Sequence, residues 1–141
     1  MINTKSVLAI TLARGGSKGI PKKNIALINK KPLLLYTTEE VKKSKYIDEY
    51  IVGTDDIDIK NICVNNNIKV INRKKVSDTQ TTANGLLEIL TKVKKYDYII
   101  EIMCTNPLKK SFDIDKVIEL LDKNNPCSVV SVCRVSDTNK G

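Results

Sequence analysis

The chain is expected to fold as a doubly wound α/β domain, a mostly parallel sheet with helices on both faces. Three observations predict it. Short apolar runs recur along the chain and read as strands buried on both sides. Segments with apolar residues at helical spacing alternate with those runs. The polar stretches that could carry chemistry fall directly after strands, where open α/β sheets build their crevice.

The first strand is the run Val7 to Ala13. It leads into Arg14-Gly15-Gly16-Ser17-Lys18-Gly19-Ile20-Pro21-Lys22-Lys23-Asn24, the stretch around which the rest is organised. Its glycines let the backbone turn sharply and approach a ligand. Arg14, Lys18, Lys22 and Lys23 add positive charge to the same loop. Glycine and charge after a buried strand suit the holding of phosphate. The loop is neither a P-loop, since no Gly-Lys-Ser/Thr closes it, nor the dinucleotide G-x-G-x-x-G.

Leu33 to Lys43 follows as a helix with Pro32 near its start. Tyr50 to Gly53 is the second strand, ending at Thr54-Asp55-Asp56. Ile59, Ile62 and Cys63 have helical spacing, and Asn65-Asn66-Asn67 stops that helix. Ile68 to Ile71 is the third strand, running into Asn72-Arg73, and Ser77 to Thr82 is loop. From Ala83, the apolar positions 83, 86, 87, 90 and 93 mark the clearest amphipathic helix. Tyr98 to Met103 is the fourth strand, with Cys104 to Lys110 as its exit. Ile114, Val117, Ile118 and Leu121 mark a last helix with Ser111 as its cap, and Ser128 to Val132 is a fifth strand.

At 141 residues, with 41% hydrophobic and 28% charged residues, the chain reads as a single domain with a real core. No apolar run reaches the roughly 20 residues that span a bilayer. Met1 to Ser6 lacks a signal peptide's apolar core, so a cytoplasmic location is expected and no membrane partner. Cys63, Cys104, Cys127 and Cys133 form no CxxC pair and read as reduced thiols. Histidine is absent, which removes Ser-His-Asp and Cys-His catalysis and mixed Cys/His zinc sites.

The net charge of +8 invites a nucleic-acid reading, but lysines are scattered over every element and aromatics make up only 4%, so no stacking platform exists. No nucleic-acid partner is expected. Arginine is the informative cation: three of the 24 basic residues are Arg, at 14, 73 and 134. A chain this rich in Lys keeps Arg where a planar, bidentate grip matters.

The string Leu12-Ala13-Arg14-Gly15-Gly16-Ser17-Lys18-Gly19-Ile20-Pro21-Lys22-Lys23-Asn24 closely resembles the L-A-R-G-G-S-K-G-[IL]-P-x-K-N signature of the CMP-sialic acid synthetases, or acylneuraminate cytidylyltransferases. Further matches follow in order. Ile51-Val52-Gly53-Thr54-Asp55-Asp56 is similar to I-V-S-T-D-D, and Arg73 with Ser77-Asp78-Thr79 to R…S-D-T. Thr105-Asn106-Pro107-Leu108-Lys109 stands where members have T-S-P-L-R, and Ser128 to Val132 matches S-V-V-S-V.

The resemblance implies a Rossmann-like nucleotidyltransferase fold and transfer of CMP from CTP to the anomeric hydroxyl of a nonulosonic acid, with pyrophosphate released and Mg²⁺ assisting. It implies Arg14 and Lys23 as catalytic phosphate clamps, helped by Lys18 and the Gly15 and Gly16 amides. Asn24, Arg73, Gln80 and Thr82 would hold the nucleotide. Gln80 and Thr82 also read as helix-capping residues ahead of Ala83, and Asp55 and Asp56 as strand exit and helix cap in preference to metal ligands. No metal ligand is assigned. Met103 stands at an acceptor-sugar position where members usually have Gln, and it cannot form strong hydrogen bonds. The interval from Arg73 to Ser77 is shorter than usual. Members continue past the position of Gly141 with metal-binding aspartates and a dimerisation segment. The domain 1–141 is thus expected to lack the family's C-terminal part, and to be a homodimer if full-length. A relative using GTP and a sugar 1-phosphate, and a non-catalytic nucleotide binder, are the alternatives.

Overall fold

The computed structural model describes residues 1–13, 27–73, 82–103 and 110–124, with only the backbone at 82 and 83. The elements are β1 (Val7–Leu12), β2 (Leu27–Ile28), β3 (Lys31–Pro32), α1 (Leu33–Lys42), β4 (Glu49–Thr54), α2 (Ile57–Asn65), β5 (Lys69–Asn72), α3 (Thr82–Leu90), β6 (Tyr98–Glu101) and α4 (Ser111–Asn124). Four strands form one sheet in the order β5-β4-β1-β6. Each of its three pairings is parallel. The chain therefore moves outward from β1 to β5, then crosses back through α3 to place β6 on the other side of β1. That reversal is the topological switch point of an open α/β sheet.

β1 is central because it can be buried on both faces. Val7, Ala9 and Ala13 join α1, α2 and α4 through Leu34, Val41, Ile59, Cys63, Ile114 and Ile118. Leu8 and Ile10, pointing the other way, pack with Ile51 against Ile89 of α3. Alternate residues of one strand thus feed two cores, as the pleat requires. Three helices cover one face and α3 the other, so the expected two-sided layering is present.

Local chemistry ends the elements where the chain needs to turn. At the close of α2, Asn67 has φ +58°. Ile68 N–H donates to Cys63 O at 2.8 Å, and Asn67 N–H to Val64 O at 3.2 Å. This is a Schellman closure with Ile68 and Cys63 in one apolar cluster. At the start of α2, Thr54 Oγ1 accepts the Asp56 N–H and Asp56 Oδ2 accepts the Ile59 N–H, each at 3.1 Å.

The structure corrects three expectations. The amphipathic helix begins at Thr82 rather than Ala83, and its core face is centred on Ile89, which is fully buried, whereas Leu87 is 60% exposed. Ser111 is the first residue of α4 rather than its cap. A side chain on another helix does the capping: Glu40 of α1 accepts the Ser111 N–H at 2.9 Å. Between the basic loop and α1 lies an unanticipated hairpin, β2 with β3. Asn29 and Lys30 at its tip have φ of +52° and +65°, the backbone of a tight two-residue hairpin turn. The Tyr36 hydroxyl donates to Ile28 O at 2.6 Å and holds this hairpin to α1. The fifth strand expected at Ser128 to Val132 lies outside the described residues.

Candidate functional site at the carboxyl edge of the sheet

The four parallel strands deliver their exits to one edge. Ladder hydrogen bonds run past the strand ends and fix those exits in register. Ala13 N–H donates to Gly53 O at 2.9 Å, Arg73 N–H to Thr54 O at 2.8 Å, and Ile102 N–H to Ile10 O at 2.9 Å. A buried hydroxyl relay reinforces them: Tyr50 OH donates to Thr11 Oγ1 at 2.7 Å, and Thr11 Oγ1 donates to Ile102 O at 2.6 Å. The Ile102 carbonyl and the Ser111 amide are thus each held, by Thr11 Oγ1 and by Glu40.

Arg73 is the expected nucleotide-holding residue that the structure describes in full. It follows β5 directly, and its half-buried side chain lies back over the sheet edge. A methyl group at Gly53 would stand 3.0 Å from Arg73 Cδ, and one at Gly85 would stand 2.5 Å from Arg73 Nη2. Arg73 Nε is buried without an acceptor among the described residues. One guanidinium N–H is therefore held out of water and unpaired among the described residues, a costly state unless something else offsets it.

Thr82 opens α3, so it stands at the crevice rim on the helix that faces Arg73. Met103 follows β6 and is 61% exposed at the same edge. Asp56 has its carboxylate engaged as the α2 cap, as expected, and Asp55 precedes it in the β4 exit. Arg14, Gly15, Gly16, Lys18, Lys23, Asn24 and Gln80 lie outside the described residues. The same holds for Cys104, Cys127 and Cys133; Cys63 is a buried free thiol.

Among the described residues no group of three His, Cys, Asp or Glu side chains could hold a metal ion. With Asp56 engaged as a helix cap, the described residues assign no ligand to the implied Mg²⁺. No described helix is long and apolar enough to cross a membrane.

Gly85 and Glu40 are the site-shaping residues that sequence reasoning missed. Gly85 carried a signal: a glycine inside the most amphipathic helix costs helix stability and marks a close approach. Glu40 carried none, because its partner lies far along the chain.

An open parallel sheet, a switch point beside its central strand and polar exits gathered at one edge define the Rossmann-like, doubly wound α/β class. Comparison with known proteins narrows this. A family described as Cytidylyltransferase matches residues 8–140. The chain belongs to that cytidylyltransferase family. It is 33% identical over 132 residues to the N-acylneuraminate cytidylyltransferase of Oncorhynchus mykiss, covering 92% of this chain and 31% of that protein. It is 30% identical over 132 residues to the N-acylneuraminate cytidylyltransferase of Streptococcus agalactiae serotype V, covering 91% of this chain and 32% of that one. The chain thus spans about a third of the length of these relatives. Among solved structures, CMP:2-keto-3-deoxy-manno-octonic acid synthetase complexed with CTP superposes with a TM-score of 0.79 at 21% identity, over 86% of this chain and 49% of that one.

Proposed function

We propose that this chain carries the nucleotide-binding part of a cytidylyltransferase that transfers CMP from CTP to the anomeric hydroxyl of a sialic-acid-like nonulosonic acid. The observation that carries the reading is the Arg73 guanidinium, seated at the carboxyl edge with a buried donor unpaired among the described residues, two strands from the end of β1, where the Arg14-Gly15-Gly16 stretch follows in the sequence. The names of the relatives support the sugar class.

In this reading Arg14 and Lys23 neutralise the triphosphate, with Lys18 and the Gly15 and Gly16 amides beside them. Asn24, Arg73, Gln80 and Thr82 hold the nucleotide in line with the acceptor. The sugar hydroxyl oxygen forms a bond to the α-phosphorus and loses its proton. The bond from that phosphorus to the bridging oxygen breaks, and pyrophosphate leaves. Mg²⁺ would supply further charge neutralisation through ligands elsewhere in the protein, and a homodimer would be the working form.

A second reading, nucleotide binding without turnover, is favoured by one observation: Met103 offers no strong hydrogen bond at the acceptor position. Pyrophosphate release from the protein with CTP, Mg²⁺ and a panel of nonulosonic acids decides between them, with GTP plus sugar 1-phosphates run in parallel. Release with CTP is the expected result. CTP binding without release on any acid points to the second reading, and turnover only with GTP replaces the nucleotide. Arg14→Ala is expected to weaken CTP binding by about 1.5–3 kcal/mol, the scale of a charged hydrogen bond.

A further inference from the structure

We infer that Gly53 and Gly85 are positioning residues for Arg73: together they form a slot that lays its side chain across the sheet toward the end of β1. The inference rests on the nucleotide reading above and adds to it the device that orients the arginine.

Strand register sets the slot. Gly53 pairs with Leu12 on one side and with Ile71 on the other. Leu12, Ile51 and Ile71 all belong to the core facing α3. Arg73 is two residues past Ile71 and so projects from that same face. Between Ile71 and Leu12, β4 presents only the hydrogen of Gly53. Ile89 and the arginine stem share this gap. A Cβ at 53 would stand 3.0 Å from Arg73 Cδ and 2.7 Å from Ile89 Cδ1. The guanidinium then reaches α3. A Cβ at 85 would stand 2.5 Å from Arg73 Nη2, 3.0 Å from Arg73 Cζ and 2.9 Å from Leu12 Cδ1. No real side chain fits at such distances unless its neighbours move, and at 85 the atoms that must move belong chiefly to Arg73.

The second observation is the Arg73 Nε, buried and unpaired among the described residues. A mobile arginine would swing out and recover water at that donor. The backbone of Arg73 is tied to Thr54 O at 2.8 Å and its stem lies over Gly53, so it does not. An acceptor on an incoming nucleotide meets a guanidinium already oriented, and less side-chain entropy is lost on binding.

The test is a double-mutant cycle in the full chain, with CTP affinity read by calorimetry for the parent, Gly85→Ala, Arg73→Ala and the double variant. Each single substitution is expected to weaken CTP roughly ten- to hundredfold. The double variant should bind no more weakly than Arg73→Ala alone if the added methyl group acts through the guanidinium and not through Leu12. Losses that multiply overturn the positioning role. Exchange of the Arg73 Nε–H proton, followed by NMR without ligand, gives an independent reading. It should be slow in the parent and fast in Gly85→Ala, and equal rates overturn the slot. If Gly85→Ala fails to fold while the double variant folds, the conflict is with Arg73 and the slot stands. If neither folds, Gly85 packs against something else and the slot falls. A parent that protects the Nε–H proton but binds no CTP overturns the nucleotide reading and the positioning role with it. A parent that binds CTP with multiplying losses overturns the positioning role alone.

Discussion

The Glu40 carboxylate on α1 accepts the Ser111 backbone N–H at 2.9 Å, so one helix supplies the cap of another across most of the sheet's chain order. Lys43 Nζ donates to the other oxygen at 3.2 Å. The Ser111 amide, and then Lys43, hold the Glu40 carboxyl below its ordinary value of 4.5. Glu40→Ala is expected to cost about 1 kcal/mol, as loss of a helix cap does. The sign of the pH dependence follows from the lowered folded value. The contribution is complete above pH 4.5 and is lost as pH falls through the folded value. Glu40→Gln should keep part of the cap and flatten the acid limb of a Tm-versus-pH curve. An unchanged acid limb would contradict the assignment.

Asp56 separates a structural carboxylate from a metal ligand. Its oxygen accepts the Ile59 N–H at 3.1 Å. Asp56→Ala should cost about 1 kcal/mol, and Asp56→Asn should restore most of it, since the amide oxygen also caps. Thermal denaturation reads both. A metal role would reverse the pattern: the amide would fail, and the Mg²⁺ dependence of CTP binding would fall in both variants.

Within α3, Ile89 and Leu87 should behave oppositely. Ile89 is fully buried against Leu8, Ile10 and Ile51, while Leu87 is 60% exposed. Ile89→Ala is expected to destabilise by about 2–5 kcal/mol through lost burial and a cavity. Leu87→Ala should stay within about 0.5 kcal/mol. Urea denaturation midpoints decide, and similar losses at both sites would move the helix face.

Burial pushes the Cys63 thiol up to about 11 from 9.0. The folded protein should therefore react with a thiol reagent at neutral pH at Cys63 only as fast as it opens, and unfolding in urea should expose the site to rapid labelling. The folded state keeps this thiol protonated while the unfolded chain ionises it near pH 9. Its contribution to stability is complete below that pH and declines as pH rises toward 11. Cys63→Ser should remove that alkaline decline.

The parallel sheet was readable because its strands carry apolar residues on both faces, a pattern that Val7 to Leu12 shows at every position but Thr11. Alternation with helices then set the class. The β2–β3 hairpin was not readable. Its tip is Asn29-Lys30, and Lys at positive φ gives none of the signal that Asn-Gly would. The face of α3 was misjudged at Leu87 because helical spacing alone admits two neighbouring stripes, and the choice of Ile89 depends on Ile51 and Ile10 across the sheet. Arg73 stood out by residue type in a lysine-rich chain. Its seat did not, since it needs Gly53 from strand register and Gly85 from helix packing. Ser111 looked like a cap by composition, and only tertiary contact reveals Glu40 in that role.

The pairing of β1 bears on how the protein is made. Its neighbours are Glu49–Thr54 and Tyr98–Glu101, and both must leave the ribosome after it. During synthesis the most apolar ribbon of the sheet waits with one edge open until more than two-thirds of these residues have emerged. Nascent chains arrested before Tyr98 should consequently engage chaperones and resist native-like protease protection, acquiring it only once β6 closes the open side of β1.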